Sequence, residues 1–182
     1  MHLIKHFRTI TKHRHLVMRG CFRVGLYWQG LFHDLSKYSP SEFWQGAKYW
    51  QGTRSPNAGA REDVGYSTAW MHHKGRNKHH YEYWTDLNPE TKQYEAVPMP
   101  TRYMVESVMD RIAACKTYHG STYRDSDPLE YLLRAQETPL LHKTTYEQLK
   151  FLLTKLQKEG EKATFQYIRQ VVLRGVPMEQ WK

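Results

Sequence analysis

The feature that most constrains the fold is the regular spacing of apolar side chains in the segment from Thr101 to about Tyr118. Its apolar positions recur near helical spacing, at Tyr103, Val105, Val108, Met109 and Ile112. This spacing predicts a long helix in the middle of the chain. No β-hairpin signal, internal repeat or low-complexity tract accompanies it, so the sequence predicts an all-α protein.

Other segments carry weaker helical patterns and start signals. Ser39, Pro40 and Glu42 have the types expected at the N-cap, first and third positions of a helix that runs toward Gly52. Residues 31–37 resemble the start or end of a buried helix. Further helices are predicted at 2–28 (one or two), 63–74, 128–137, 144–158 and 161–174.

Capping residues, a glycine and loop segments are expected to separate these helices. Thr144 or Thr145 is expected to cap the helix at 144–158, and Gly160 to separate it from the last one. The segments 53–62 and 85–100 are rich in Pro, Gly, Asn or Ser and are predicted to be loops.

The length and composition favour one globular domain. A chain of 182 residues, 40% hydrophobic and 25% charged, can bury a core without disulfides. We expect a single domain over residues 1–182, with the C-terminal helices (about 128–182) packed on the core. No apolar run approaches the ~20 residues needed to cross a bilayer, and neither Cys21 nor Cys115 belongs to a metal-spaced pair. A cytoplasmic protein without a membrane partner is expected.

The charge points to anionic partners. Lys and Arg outnumber Asp and Glu by 27 to 18, for a net charge of +9. This excess favours nucleotides, phosphorylated metabolites or nucleic acid as partners. It does not indicate an oligomeric state.

Candidate metal ligands recur along the chain: His13 or His15, the adjacent pair His33 and Asp34, the four histidines His72, His73, His79 and His80, and Asp110. Imidazole together with carboxylate suits Mn, Fe, Co, Ni or Zn. The dyad lies among Leu31, Phe32 and Leu35, which predicts that it points into the protein, where charge must be paired or bound to a metal.

Simpler interpretations exist for each group taken alone. The dyad could be a core or capping pair, and Asp110 could pair with Arg102, Arg111 or Lys116. The paired histidines could form a solvated cluster beside Lys74, Arg76 and Lys78. The order His, His-Asp, histidine cluster, Asp favours a metal site over these alternatives.

The number of ions depends on how the histidine cluster folds. In a continuous helix His72 and His79 would share a face, as would His73 and His80, about 10.5 Å apart. That separation is too long for one ion but tolerable for two. Gly75 and Asn77 are expected to break the helix, so one or two ions remain possible. We predict that at least one histidine of each pair faces the pocket of the dyad.

The order of these residues resembles the HD superfamily of metal-dependent phosphohydrolases, which implies a single-domain HD-type helical bundle. In that superfamily a His, an HD dyad and a distal Asp from separate helices bind one metal. The resemblance assigns these roles to His13 (in an H-x-x-x-V motif), His33, Asp34 and Asp110, with His15 as the alternative first ligand. Additional histidines, with His72 assigned here as a ligand, would recruit a second metal.

A closer resemblance is to a family of bacterial and phage proteins of unknown activity. It rests on HDLSKYSPSEF at 33–43, AWMHHKGRNKHHYEYW at 69–84, PMPTRY at 98–103 and LLHKTT at 140–145. The similarity covers residues 9 to about 150. It implies a shared fold but no particular reaction.

The expected function is hydrolysis of a phosphate ester, in a nucleotide or a cyclic or oligonucleotide. The HD-x-x-K pattern resembles a subset of HD phosphodiesterases, which implies that Lys37 lies at the substrate phosphate. Alternatively, Lys37 forms a salt bridge with Asp34, on the same helical face, or with Glu42. Arg76 and Lys78 are further candidate phosphate ligands. His73, His79 and His80 are candidate acid–base or ligand groups. The alternatives are an HD-type diiron oxygenase and a non-catalytic module that binds a nucleotide or nucleic acid.

Overall fold

The computed structural model describes residues 1–134 and 139–182. These residues form one mostly helical domain, which confirms the all-α prediction. The helices are α1 (Leu3–Val24), α2 (Tyr27–Phe32), α3 (Pro40–Lys48), α4 (Pro56–Val64), α5 (Thr68–Lys74), α6 (Thr101–His119), α7 (Asp127–Leu133) and α8 (Lys143–Gln170). Short 3-10 helices cover Leu35–Tyr38, Tyr81–Tyr83, Gly120–Thr122, Val172–Arg174 and Met178–Gln180. None of the helices described is long and apolar enough to cross a membrane.

The core lies between α1, α6 and α8. Their fully buried side chains include Val17, Met104, Val108 and Leu152. Helices α1 and α6 approach closely because Gly20 faces Met109, whose Sδ would lie 2.9 Å from a Cβ at position 20. The close approach sets the C-terminal half of α1 beside the middle of α6.

The C-terminal helices pack against α6, and α8 also touches α1. Gly160, with a φ of 76°, interrupts α8 at the position predicted to separate two helices. The predicted cap at Thr144 or Thr145 is wrong. His142 is the N-cap and accepts the Thr144 N–H, whereas the Thr145 hydroxyl is buried and accepts the Met99 N–H at 3.0 Å. Helix α7 begins at Asp127, next to the start of the helix predicted at 128–137. The last residues of that predicted range lie outside the described residues.

A short antiparallel hairpin corrects the prediction that the segment 85–100 is only a loop. Strand β1 (Thr85–Leu87) pairs with β2 (Tyr94–Ala96). Three-residue strands with mostly exposed side chains show almost no alternation of apolar and polar residues. The turn is held by Asn88, whose side chain accepts the Glu90 N–H at 2.8 Å. It contains no Asn-Gly pair, the sequence signal that most strongly predicts a hairpin.

The segment 53–74 also differs from its prediction. The expected loop contains α4, which starts at Pro56 after Ser55, whose hydroxyl accepts the Asn57 N–H. Gly65, in the left-handed region with a φ of 83°, then ends α4. The range 63–74, predicted as one helix, therefore contains only the end of α4 and then α5, because this conformation does not continue a helix.

Candidate metal centre

His33 and Asp34 lie in a sharp turn between α2 and the 3-10 helix at Leu35–Tyr38, not inside a helix. Asp34 has a φ of 54°, a left-handed conformation that Asp tolerates better than most residues. Both side chains are buried, whereas Leu31, Phe32 and Leu35 are largely exposed. The dyad points inward as predicted, but because of this turn and not because its apolar neighbours are buried.

The first group of ligands joins α1, the dyad and α6. One ligand atom from each of His13, His33, Asp34 and Asp110 lies within 4.8 Å of the others. His13 Nε2 is 3.0 Å from Asp110 Oδ1 and 3.5 Å from Asp34 Oδ2, and His33 Nε2 is 3.3 Å from Asp34 Oδ2. His15 is exposed, so the alternative first ligand points away from this group.

The second group contains Asp34, His73, His79 and His80, whose ligand atoms also lie within 4.8 Å of one another. His73 Nε2 is 3.3 Å and His79 Nε2 is 3.4 Å from Asp34 Oδ1. One oxygen of Asp34 therefore faces each group. A shared carboxylate of this kind places two candidate ion positions next to each other.

The chain folds the second group together by ending α5 early. The helix stops at Lys74, as predicted from Gly75. Asn77 then turns the chain back, because its backbone N–H and its side-chain amide both donate to the His73 carbonyl. This turn brings His79 and His80 beside His73, a geometry that a continuous helix would not allow.

His72 is not in either group, which corrects its assignment as a ligand. Consecutive residues of a helix diverge by about 100°, so His72 cannot face the same way as His73. The His72 ring is 25% exposed, and its Nδ1 lies 2.6 Å from Glu42 Oε1.

Two buried glutamates orient the histidine rings, and the sequence prediction missed both roles. Glu106 Oε1 lies 2.9 Å from His33 Nδ1 and 3.2 Å from His79 Nδ1. Glu42 Oε2 lies 2.8 Å from His73 Nδ1. When Nδ1 donates to a carboxylate, Nε2 is left with a lone pair for a metal, an arrangement common around ligating histidines.

Each glutamate had a signal in the sequence. Glu106 precedes Asp110 by four residues and so shares its face of α6. Glu42 is at the third position of α3, as the SPSE motif predicts, but Ser39 makes no side-chain capping bond. The SPSE motif marks the start of α3, but its glutamate contacts the Nδ1 atoms of His72 and His73.

Buried atoms without partners converge between the two groups. Among the described residues, Asp34 Oδ1 and the Nε2 atoms of five histidines make no contact with hydrogen-bond geometry, although several of these atoms lie close to a carboxylate oxygen. The five are His13, His33, His73, His79 and His80. Buried polar atoms are nearly always satisfied. A set of unsatisfied imidazole and carboxylate atoms aimed at one volume fits transition-metal ions, so these clusters could hold a metal.

The charge states of Asp34, Asp110, His79 and His80 fit a metal, whereas burial lowers the pKa of His33 and His73 but Asp34 outweighs burial and raises it. Burial raises the pKa of Asp34, but His33, Lys37 and His73 outweigh burial and hold it well below 3.8. Burial and the neighbouring histidines keep the pKa of His80 well below 6.5. Ionised carboxylates and neutral imidazoles are the forms that bind metal ions.

A cavity of about 380 Å³ opens from this centre. His13, His73, His80 and Asp110 form its wall at the ligand groups, and Lys37 also lines it. Lys37 Nζ lies 2.6 Å from Asp34 Oδ2, so the salt bridge considered for this lysine is present. The volume is that of a small-molecule site.

Arg76 and Lys78, predicted to bind phosphate, do not line this cavity. Both are exposed. Arg76 donates to the His72 carbonyl at 3.4 Å, and Lys78 lies over the rings of Tyr83 and Tyr103. They lie on the outside of the turn that brings His79 inward, which the residue types alone did not reveal.

A family model described as a family of unknown function (DUF5662) matches residues 2–155. The chain belongs to this family. The part that matches the DUF5662 model contains both ligand groups, from His13 to Asp110. No curated protein and no solved structure shows a significant match.

Proposed function

We propose that this DUF5662 protein is an HD-type, metal-dependent phosphohydrolase that acts on a phosphate ester of a small molecule, with a nucleotide as the leading candidate. The observation that carries the proposal is the position of Asp34 between two groups of ligands. The order of the ligands along the chain resembles the HD superfamily, and the cavity beside them has room for a small ester.

The residues divide between two ion positions. His13, His33 and Asp110 would hold one ion with Asp34, and His73, His79 and His80 would hold the other with the same carboxylate. Bound divalent ions supply Lewis acidity, which acidifies water and neutralises charge on phosphoryl oxygens.

Lys37 supplies the cationic group next to the reacting phosphate. Its amine lines the cavity beside Asp34. Burial lowers the pKa of Lys37, but attraction to Asp34 and Asp110 outweighs burial and raises it, so the amine stays charged. A fixed ammonium stabilises charge on a phosphoryl oxygen because it needs no reorganisation as that charge develops. Glu106 and Glu42 hold the histidine rings in place.

The cavity favours a small molecule over a nucleic-acid strand. Its walls include buried side chains such as His73 and Arg111, and its volume of about 380 Å³ suits a single nucleotide or a smaller ester. Binding of nucleic acid, suggested by the +9 charge, would use the outer surface and not this cavity.

A second candidate function, an HD-type diiron oxygenase, is favoured by one specific observation. Five histidines surround Asp34, three of them in the second group. Imidazole-rich sites suit iron. This candidate predicts iron at both positions and turnover that requires dioxygen.

The deciding experiment compares the wild-type protein with Asp34→Asn. Elemental analysis is paired with a screen of nucleotides and other phosphate esters for phosphate release with Mn, Fe, Co, Ni or Zn, in air and without oxygen. We expect oxygen-independent phosphate release by the wild type, and loss of both ions and of activity in Asp34→Asn.

Two further variants sharpen the result. Lys37→Gln should keep its metal but lose turnover, whereas exposed Lys78→Gln should match the wild type. Oxygen-dependent oxidation without phosphate release would replace the proposal with the oxygenase. Tight nucleotide binding without turnover would replace it with a binding module.

A further inference from the structure

Arg111 is a buried cation on the cavity wall that the proposed reaction does not use. Its side chain is on α6 and only 9% exposed. Among the described residues, no carboxylate lies within 4.0 Å of its guanidinium, and its buried Nε has no hydrogen-bond partner. The contact that the structure gives it is with the ring of Tyr131, 5.9 Å from the guanidinium carbon.

A buried arginine without a counter-charge is costly, so such groups are normally paired or face a ligand. Glu82 also lines the cavity and interacts electrostatically with Arg111, but no ion pair joins the two and Glu82 Oε2 is itself unpartnered. The guanidinium carries donors in a fixed plane that match a carboxylate or phosphate. A neutral ligand atom would leave its charge uncompensated.

Arg111 is separate from the position of the reacting phosphate. It follows Asp110 on α6, and consecutive helical side chains point about 100° apart. The Asp110 carboxylate faces His13 at 3.0 Å, whereas Arg111 faces Tyr131. The cavity therefore has a cationic group, Lys37, at the ligand groups and another, Arg111, to one side of them, whereas Arg54, which also lines it, is paired with Glu62.

We propose that Arg111 binds a second anionic group of the substrate, which is therefore a small phosphate ester carrying another carboxylate or phosphate. This inference rests on the proposed function, since it places the reacting phosphate beside Asp34 and Lys37. Arg111 would then favour substrates with two anionic groups over substrates with one.

The test uses phosphonates, which cannot be hydrolysed as esters. Binding of phenylphosphonate and of its 2-, 3- and 4-carboxy derivatives is measured by calorimetry on the purified protein, with its metal content determined. At least one carboxy isomer should bind the wild type about tenfold or more tightly than phenylphosphonate, because it adds a charge-assisted contact. Arg111→Gln should lose that preference and keep its affinity for phenylphosphonate and its metal.

Matched controls exclude a structural role. Arg76→Gln removes an arginine outside the cavity and should keep the preference, and Arg111→Lys, which retains the charge, should keep part of it. The melting temperature of Arg111→Gln should equal or exceed that of the wild type, because an unpaired buried charge is removed.

Two other results would contradict the role of Arg111 or the proposed reaction. If no carboxy isomer is preferred, or if the preference survives in Arg111→Gln, the role of Arg111 is wrong. If the preference depends on Arg111 but no phosphate ester is hydrolysed, the anion site stands and the proposed reaction fails.

Discussion

Replacing Glu106 by Gln should weaken both ion positions at once. Glu106 is 5% exposed, and one of its oxygens lies within hydrogen-bond distance of a ring nitrogen of His33, in the first group, and of His79, in the second. Gln keeps the shape and an accepting oxygen but removes the charge. The variant therefore tests the electrostatic contribution without opening a cavity.

The magnitude follows from these two contacts. A hydrogen bond to a charged group is worth about 1 kcal/mol more than a neutral one, so the two contacts of Glu106 together lose about 2 kcal/mol. Because one contact serves each position, each ion loses about 1 kcal/mol, a decrease of about fivefold in its affinity, and the product of the two affinities decreases about 30-fold. The combined decrease lies within the range of about 10- to 100-fold seen when partners of ligating histidines are changed. Glu42 contacts one histidine of the ligand groups, His73, so Glu42→Gln should weaken only the second position, by about fivefold.

The assay is a competition titration of each variant against a chromogenic chelator with Zn²⁺ or Mn²⁺, with elemental analysis of the isolated protein. Glu179→Gln, an exposed glutamate, serves as the matched control. An affinity of Glu106→Gln within twofold of the wild type would refute the reasoning. So would a loss confined to one of the two ions.

Two predictions concern stability. Gly46→Ala should lower the free energy of unfolding by roughly 1–3 kcal/mol, because a Cβ at position 46 would overlap the buried His6 ring; thermal melts check this, and an unchanged melting temperature would contradict it. Burial raises the pKa of Asp127, but hydrogen bonds from the Arg124 N–H and from His119 outweigh burial and hold it below 3.8. Since the folded pKa is the lower one, the carboxylate stabilises the protein above pH 3.8, and this contribution is lost as the pH falls through the folded pKa. Asp127→Asn should therefore cost about 1–3 kcal/mol at pH 7 and progressively less below pH 4, as measured by urea unfolding; a constant difference across that range would count against it.

The sequence by itself determined the helical class and most of the residues that meet around Asp34. Periodicity identified α6 because a long helix with buried apolar positions leaves a regular signal. Gly160 marked a real break because its φ of 76° does not continue a helix. Gly75 marked the real end of α5. His13, the dyad, the histidine cluster and Asp110 were singled out because their types and order are unusual for packing alone. Their roles as ligands stay predictions.

Only the tertiary structure decided which of these residues meet, and how. The turn at Asn77 brings His79 and His80 beside His73, whereas His72 contacts Glu42 outside both ligand groups. The left-handed conformation of Asp34 directs its two oxygens to different groups. The structure also places Arg111 on the cavity wall and Arg76 and Lys78 outside the cavity, because exposure and cavity position depend on contacts between distant segments. Residue type and spacing report the local backbone. They do not report which side of a turn faces the core, since packing against α1 and α6 determines that.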